Sequence, residues 1–122
     1  MNDEIKQALA KDRVIDMTTI GRTSGQPRRL ETWFHNIDGQ VYLTGTPGKR
    51  DWYANMVANP RFTFHLKESA TADLAATARP VTDAAERRAV FARVLANVGR
   101  PATDLPAWEA GSPLVAVTFD DA

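Results

Sequence analysis

The stretch RRLETWFHNIDGQVYLTGT (residues 28–46) carries the clearest fold signal in the sequence. Its first half alternates, so that Leu30 and Phe34 fall on one face and mostly charged or aromatic residues fall on the other. Asp38-Gly39 follows, a dipeptide typical of a two-residue hairpin turn. Residues 40–46 then continue as the partner strand. The stretch therefore predicts an antiparallel β-hairpin.

Further strands are predicted on both sides of this hairpin. Residues 13–20 are rich in β-branched side chains, and residues 62–66 alternate between apolar and polar positions. Residues 71–80 have the alanine content of a helix, but their place between a strand and a capped helix favours a strand. Residues 114–119 are almost wholly apolar, which predicts a central strand covered on both faces.

Short helical segments separate these strands. Residues 1–12 are predicted as an N-terminal helix or arm. Residues 50–58 are predicted as a helix that turns Trp52 inward, and an amphipathic helix runs from a capping box at Asp83 to Gly99. Residues 101–112 are predicted as a proline-bearing connection.

The order of these elements predicts a mainly β (α+β) fold. Most strands follow one another without a long crossover, which favours an antiparallel sheet closed into a small barrel with flanking helices. A length of 122 residues is that of one domain, so residues 1–122 are predicted as a single barrel domain.

The composition excludes several kinds of chemistry. The chain has 15 basic and 15 acidic residues, and this zero net charge argues against a nucleic-acid partner. It has no cysteine, so disulfides, thiolate catalysis and cysteine-bound metals are excluded. No apolar run approaches the length of a membrane span, and the acidic start does not resemble a signal peptide, so we expect a cytoplasmic protein.

The basic residues are nevertheless concentrated in two loops. Three arginines and no acid lie between Arg22 and Arg29, and Lys49-Arg50 forms a second basic spot. The glycines of residues 21–27 let a ligand approach the backbone, and Thr23 adds a hydroxyl group. This combination suits a phosphate or a carboxylate, although an ordinary surface turn with solvated arginines is the alternative.

The second loop leads into the predicted helix over residues 50–58. Backbone N–H groups at such a helix start would point at an anion, and Trp52 and Tyr53 could wall a planar ring. The alternative is that Trp52 belongs to the core. The two histidines, His35 and His65, lack nearby carboxylates at ligand spacing, so no metal site is predicted and surface positions are expected for both.

Two segments resemble the deazaflavin-dependent nitroreductase family. Residues 18–28 (TTIGRTSGQPR) are similar to its TTxGRxSGxPR motif, and residues 52–60 (WYANMVANP) to its WYxNxxANP motif. Both occur in the family's order and with about its spacing. Membership would imply a split β-barrel of the FMN-binding and pyridoxamine-phosphate-oxidase type, which is usually dimeric, and would imply coenzyme F420 as cofactor, with FMN as the alternative.

The resemblance also implies which residues bind the cofactor. The turn would hold the phosphate and the acidic tail, and the second loop would lie near the ring or its linker. The implied cofactor-binding residues are Arg22, Thr23, Ser24, Pro27, Arg28, Thr46, Gly48, Lys49, Trp52, Tyr53 and Asn55. No catalytic residue is assigned.

The sequence departs from the family at three places. Thr23 stands where active members usually carry a basic residue, and Arg29 or Arg50 could compensate. The loop before Trp52 is shorter, with Pro47 where a lysine is common. The C-terminal tyrosine that some members place near the substrate is absent, and Trp108 or Ser112 stands nearest to it.

These observations lead to one main hypothesis and two alternatives. The main one is an oxidoreductase that transfers a hydride from reduced F420 to a small electrophile, either a quinone or a nitro compound. The short loop and the absent tyrosine motivate a non-enzymatic protein that binds a flavin, a haem-derived or a lipid-like ligand. The other alternative is an FMN-dependent reductase.

Overall fold

The predicted hairpin is present in the computed structural model, which describes residues 1–120. Strand β2 (Pro27–Ile37) pairs antiparallel with β3 (Gln40–Thr44). Asp38 and Gly39, between them, have φ angles of 53° and 93°, as this type of turn requires. The hairpin prediction is confirmed, with β3 ending two residues earlier than expected.

Six antiparallel strands form a closed barrel in the order β1-β2-β3-β6-β5-β4. The other four strands are β1 (Val14–Ile20), β4 (Arg61–Leu66), β5 (Ala72–Pro80) and β6 (Leu114–Phe119). Residues 72–80 are thus a strand, as their place in the chain indicated. The predicted closed antiparallel barrel is confirmed.

Four helices flank the barrel. They are α1 (Asp3–Lys11), α2 (Asp51–Ala58), α3 (Ala84–Asn97) and α4 (Leu105–Gly111). The side chain of Asp83 accepts a hydrogen bond from the Glu86 N–H, so the predicted N-terminal cap of α3 is present. None of the helices in residues 1–120 is long and apolar enough to cross a membrane.

Helix α4 lies within the segment that was predicted as a connection. Its seven residues, LPAWEAG, include a proline and end at a glycine, a composition that resembles a loop. Proline is tolerated here because the first turn of a helix has no partner for its N–H. Packing decides the conformation, since Trp108 is buried and meets the ring of Phe91 edge-to-face at 5.9 Å.

The barrel interior forms the first of two apolar cores. Phe64 is fully buried at its centre, with the rings of Phe34 and Phe119 edge-to-face at 5.3 and 5.1 Å. Trp52 and Met56 of α2 belong to the same core. The inward orientation predicted for Trp52 is confirmed.

The second core lies outside the barrel, between the sheet and helices α3 and α4. Strand β6 serves both cores: Val115 and Val117 belong to the barrel interior, and Leu114 and Ala116 to the outer core. This double coverage explains why β6 is almost wholly apolar, as the sequence indicated.

Both histidines are buried, which corrects the expectation of surface positions. His65 bonds on one side to the Thr18 hydroxyl and on the other to the Asp73 carboxylate, each at 2.7 Å. The sequence of hydrogen bonds from Thr18 through His65 to Asp73 resembles that of a catalytic triad. However, β1 is paired on both edges, so the backbone N–H groups beside Thr18 are not available to stabilise an oxyanion. His35 is buried on β2 with 8% exposure, and burial together with nearby Arg13 lowers its pKa.

The lowered pKa of His35 makes a prediction about stability. The unfolded chain binds a proton at His35 more readily than the folded chain does. The contribution of neutral His35 to the free energy of unfolding is therefore present above about pH 6.5 and is lost as the pH falls. We expect His35→Gln to flatten the decline in the free energy of unfolding between about pH 7 and 5. Urea titrations of both proteins over this range measure it, and an equal decline would contradict it.

Candidate functional site

Two neighbouring clefts adjoin the N-terminal half of α2. Cleft A, of about 600 Å³, lies beside the β1–β2 turn. Cleft B, of about 1090 Å³, lies beside the β3–α2 loop and the end of α4 with the residues that lead into β6 (residues 108–113, the α4–β6 segment). Arg22 and Asp51 line both clefts, so they mark the place where the clefts meet.

The β1–β2 turn that borders cleft A is closed by its own hydrogen bonds. The N–H of Gly21 donates to the Gln26 carbonyl at 2.8 Å, and the N–H of Gly25 donates to the Gly21 carbonyl at 2.9 Å. A Cβ atom at Gly21 would lie 2.5 Å from the Ser24 Oγ, and Gly25 has a φ of 69°. The positive φ of Gly25 therefore favours glycine at that position, and a side chain at Gly21 would displace the Ser24 hydroxyl.

Arg22 is fixed by a buried asparagine of α2. The Asn55 Oδ1 accepts from the backbone N–H of Arg22 at 3.0 Å and from its Nη1 at 2.9 Å. Asn55 is 5% exposed, whereas the carboxylate of Asp51, 3.4 Å from Nη2 of Arg22, is almost fully exposed. Asn55 thus holds Arg22 in place and ties the turn to α2.

The two arginines that start β2 differ in their partners. Nε of Arg29 donates to Asp16 at 3.1 Å, and hydrogen bonds from Lys67 and then Arg29 lower the pKa of Asp16. Arg28 forms no ion pair within residues 1–120. Arg29 is already engaged, so of the two Arg28 is the more available to an anion.

The β3–α2 loop is braced by Arg50. Its guanidinium donates to the carbonyl and the hydroxyl of Thr46, both at 3.0 Å, and to the Lys49 carbonyl at 3.2 Å. A Cβ at Gly45 or Gly48 would lie within 3.3 Å of this guanidinium. Arg50 therefore stabilises its own loop, and it also lines cleft B.

The two aromatic residues of α2 lie on different clefts. Trp52, which is 7% exposed, lines cleft A and belongs to the barrel core. Tyr53 is half-buried and lines cleft B. Their rings are edge-to-face with centroids 6.2 Å apart, so they cannot sandwich one planar group between them.

Nine of the eleven predicted site residues line a cleft. Cleft A contains Arg22, Thr23, Ser24, Arg28, Trp52 and Asn55, and cleft B contains Arg22, Gly48, Lys49 and Tyr53. The remaining two do not line either cleft: Pro27 begins β2, and Thr46 accepts from Arg50.

The clefts also contain residues that the sequence did not mark as cofactor-binding, among them Thr19 in cleft A and Arg87 in cleft B. Ser112, which the sequence marked only as standing near the absent tyrosine, lines cleft B. The Oγ1 of Thr19 in cleft A and the Oγ of Ser112 in cleft B are buried without a hydrogen-bond partner in the described part of the chain. Buried hydroxyls are usually paired. Within residues 1–120 there is no cluster of three or more potential metal ligands.

The barrel has the split β-barrel fold that is also found in solved structures described as a pyridoxamine 5'-phosphate oxidase and as an FAD-binding protein. A family model described as F420H(2)-dependent quinone reductase matches residues 1–104. The chain belongs to this family, which confirms the resemblance found in its two motifs. It is accordingly an F420H2-dependent oxidoreductase, and its cofactor is coenzyme F420.

Solved structures show the same fold at low sequence identity. One described as an F420 reductase is 19% identical, with a TM-score of 0.72 over 98% of this chain and 95% of that one. An FAD-binding protein from Mesorhizobium loti is 18% identical, with a TM-score of 0.70 over 98% and 91%. A structure described as a domain-swapped dimer is 18% identical, with a TM-score of 0.63 over 88% and 81%.

The contact between Asn55 and Arg22 makes a prediction about stability. Asn55→Ala leaves the backbone N–H of Arg22 without its acceptor, so we expect the free energy of unfolding to fall by about 1–3 kcal/mol. Asn59→Ala, at the C-cap directly after the same helix, is the control, because its amide makes only a 3.4 Å contact with the Ile20 carbonyl. Urea unfolding compares the two, and equal losses would contradict the assigned role.

Proposed function

We propose that the chain is an F420H2-dependent quinone reductase whose cofactor spans both clefts. The phosphate would lie at Arg22, the glutamate tail along cleft A and the deazaflavin ring in cleft B. The observation that supports this arrangement is the position of Arg22, a cation fixed by Asn55 where the two clefts meet.

The residues of the clefts fit a polyanion that carries a ring. Arg28 in cleft A and Lys49 in cleft B form no ion pair within residues 1–120, so both are available to the phosphate and the carboxylates. The unpaired hydroxyls of Thr19 and Ser112 would gain partners from the polar atoms of the bound cofactor. Cleft B is the larger one and has the half-buried Tyr53 as a flat apolar wall for the ring.

The bound cofactor supplies the hydride, so the chain contributes binding, orientation and the exclusion of water. Arg22 and Arg28 would anchor the charged end and thereby fix how far the ring enters cleft B. Pro113 and Ala54, with Tyr53, give cleft B an apolar part from which water is displaced when the ring binds. A quinone would then lie against the exposed face of the ring. A small planar electrophile is the substrate class that suits this position.

The tail distinguishes F420 from FMN in this arrangement. Both cofactors carry a ring and a phosphate, but only F420 continues into a chain of glutamates. Arg28 lies in cleft A, on the far side of Arg22 from the ring, where only that chain would reach. We therefore favour F420 as the bound molecule on physical grounds as well as on family membership.

We also propose that the protein is a homodimer in the cytoplasm. The similar structure described as a domain-swapped dimer supports self-association, as does the exposure of Trp33 and Val57, which are 49% and 55% accessible. Light scattering on the purified protein should give twice the 13.4 kDa of one chain. A mass of one chain at micromolar concentration would contradict the proposal.

Binding of F420 and of its truncated form tests the proposed placement. The truncated form is the deazaflavin riboside, which lacks the phosphate and the tail. Arg28→Ala should weaken binding of F420 by about 1.5–3 kcal/mol, because a charged contact is lost, and should leave binding of the riboside unchanged. Fluorescence titration measures both affinities.

Arg93→Ala is the matched control for this experiment. It removes the same charge from α3, where Arg93 pairs with Asp38 of the hairpin turn and lines neither cleft. It should leave both affinities unchanged. Equal weakening of F420 by the two variants would reject the placement, and failure of the unaltered protein to bind F420 would reject the proposed function.

A further inference from the structure

Arg87 of α3 connects its helix to the wall of cleft B through backbone carbonyls. Its side chain is half-buried, and its guanidinium lies over the ring of Phe91 at 5.1 Å. It donates hydrogen bonds to the carbonyl oxygens of Ser112 at 2.7 Å, Val81 at 2.9 Å, Glu109 at 3.0 Å and Trp108 at 3.4 Å. Three of these carbonyls belong to the α4–β6 segment.

These contacts fix the position of the α4–β6 segment. The Gly111 carbonyl in the same segment accepts the N–H of Gly48 at 3.0 Å from the β3–α2 loop. Arg87 therefore holds the segment against α3, and the β3–α2 loop, which also lines cleft B, is bonded to it directly. The spacing of the two walls depends on both contacts.

The charge of Arg87 is not neutralised by a carboxylate in the described part of the chain. The neighbouring acids have other partners: the Glu109 carboxylate accepts from Arg88 at 3.0 Å, and that of Glu86 accepts from Arg79 at 2.8 Å. The Asp83 carboxylate caps the N-terminus of α3. Carbonyl oxygens stabilise a guanidinium by hydrogen bonding but carry no net charge, so a full positive charge remains beside cleft B.

The other ionisable groups that line cleft B leave its field positive. They are Arg22, Lys49, Arg50, Asp51, Tyr53 and Glu109. With Arg87 there are four cations against two acids. Asp51 is almost fully exposed and therefore strongly screened by solvent, whereas Arg87 is half-buried and is screened less.

We infer that Arg87 is a positioning residue whose charge favours the ionised form of the ring bound in cleft B. This inference rests on the proposed function, which places the deazaflavin ring there. The ring of oxidised F420 carries a hydroxyl group, and a nearby cation favours the form of such a group that has lost its proton. Ser112, on the same wall, has a buried hydroxyl without a hydrogen-bond partner in the described residues.

The ionisation of the bound ring changes its absorbance and can be titrated directly. In the unaltered protein, saturated with oxidised F420, the midpoint should lie below that of the free cofactor. Arg87→Gln should raise the midpoint by about one pH unit or more, because the charge is removed. Arg87→Lys keeps the charge and should stay near the unaltered value. Arg93→Gln, on the same helix but paired with Asp38 away from both clefts, should have no effect.

The outcomes separate a charge effect from a structural one. An unchanged midpoint in Arg87→Gln overturns the inference, and so does an equal rise in the Gln and Lys variants, since that would show that only the carbonyl contacts matter. Circular dichroism checks that each variant is folded. Should Arg87→Gln fail to fold, a midpoint in the unaltered protein that equals or exceeds that of free F420 still overturns the inference. Absence of F420 binding to the unaltered protein would instead reject the proposed function.

Discussion

The closure of the barrel by β6 is the constraint on which the rest of the structure depends. This strand is paired with β3 on one edge and β5 on the other, and it is buried on both faces. Its inward residues, Val115 and Val117, fill the barrel, while Leu114 and Ala116 hold α3 and α4 against the outer surface. Removing β6 would open the barrel and separate the helices from it.

The two clefts follow from this arrangement. The segment that enters β6 passes over α3 and forms one wall of cleft B, and Arg87 fixes it there. Trp52 and Met56 of helix α2 pack into the barrel core. Asn55 of the same helix accepts a hydrogen bond from the backbone N–H of Arg22. The same helix therefore seals the core and separates the clefts.

The basic residues of this electrically neutral chain differ in whether they already have partners within the protein. Arg29 is paired with Asp16, and Arg50 is bonded to carbonyls of its own loop. Arg28 and Lys49 form no ion pair in the described residues. A polyanion would therefore meet a few available charges within a surface that is otherwise balanced, which suits a small charged cofactor better than a nucleic acid.

Local signals in the sequence were sufficient for most of the fold. The Asp38-Gly39 turn, the cap at Asp83 and the alternation in β2 and β4 depend on neighbouring residues, so they could be predicted without the rest of the chain. The two motifs indicated both loops of the site.

Features that depend on distant contacts could not be predicted in this way. Helix α4 is stabilised by the packing of Trp108 on Phe91, and the roles of Asn55 and Arg50 become visible only when their partners are in place. Arg87 stands on the polar side of an ordinary amphipathic helix, and no pattern marks it. His65 is buried because three strands bring Thr18 and Asp73 to it.

The central claim is that one molecule of F420 occupies both clefts and crosses between them at Arg22. A crystal structure of the complex with F420 tests this most directly. The account predicts the phosphate beside the Arg22 guanidinium, the glutamate tail beside Arg28 and the ring between Tyr53 and the α4–β6 segment. A ring bound in cleft A, or a tail that leaves the protein without contacting Arg28, would contradict it.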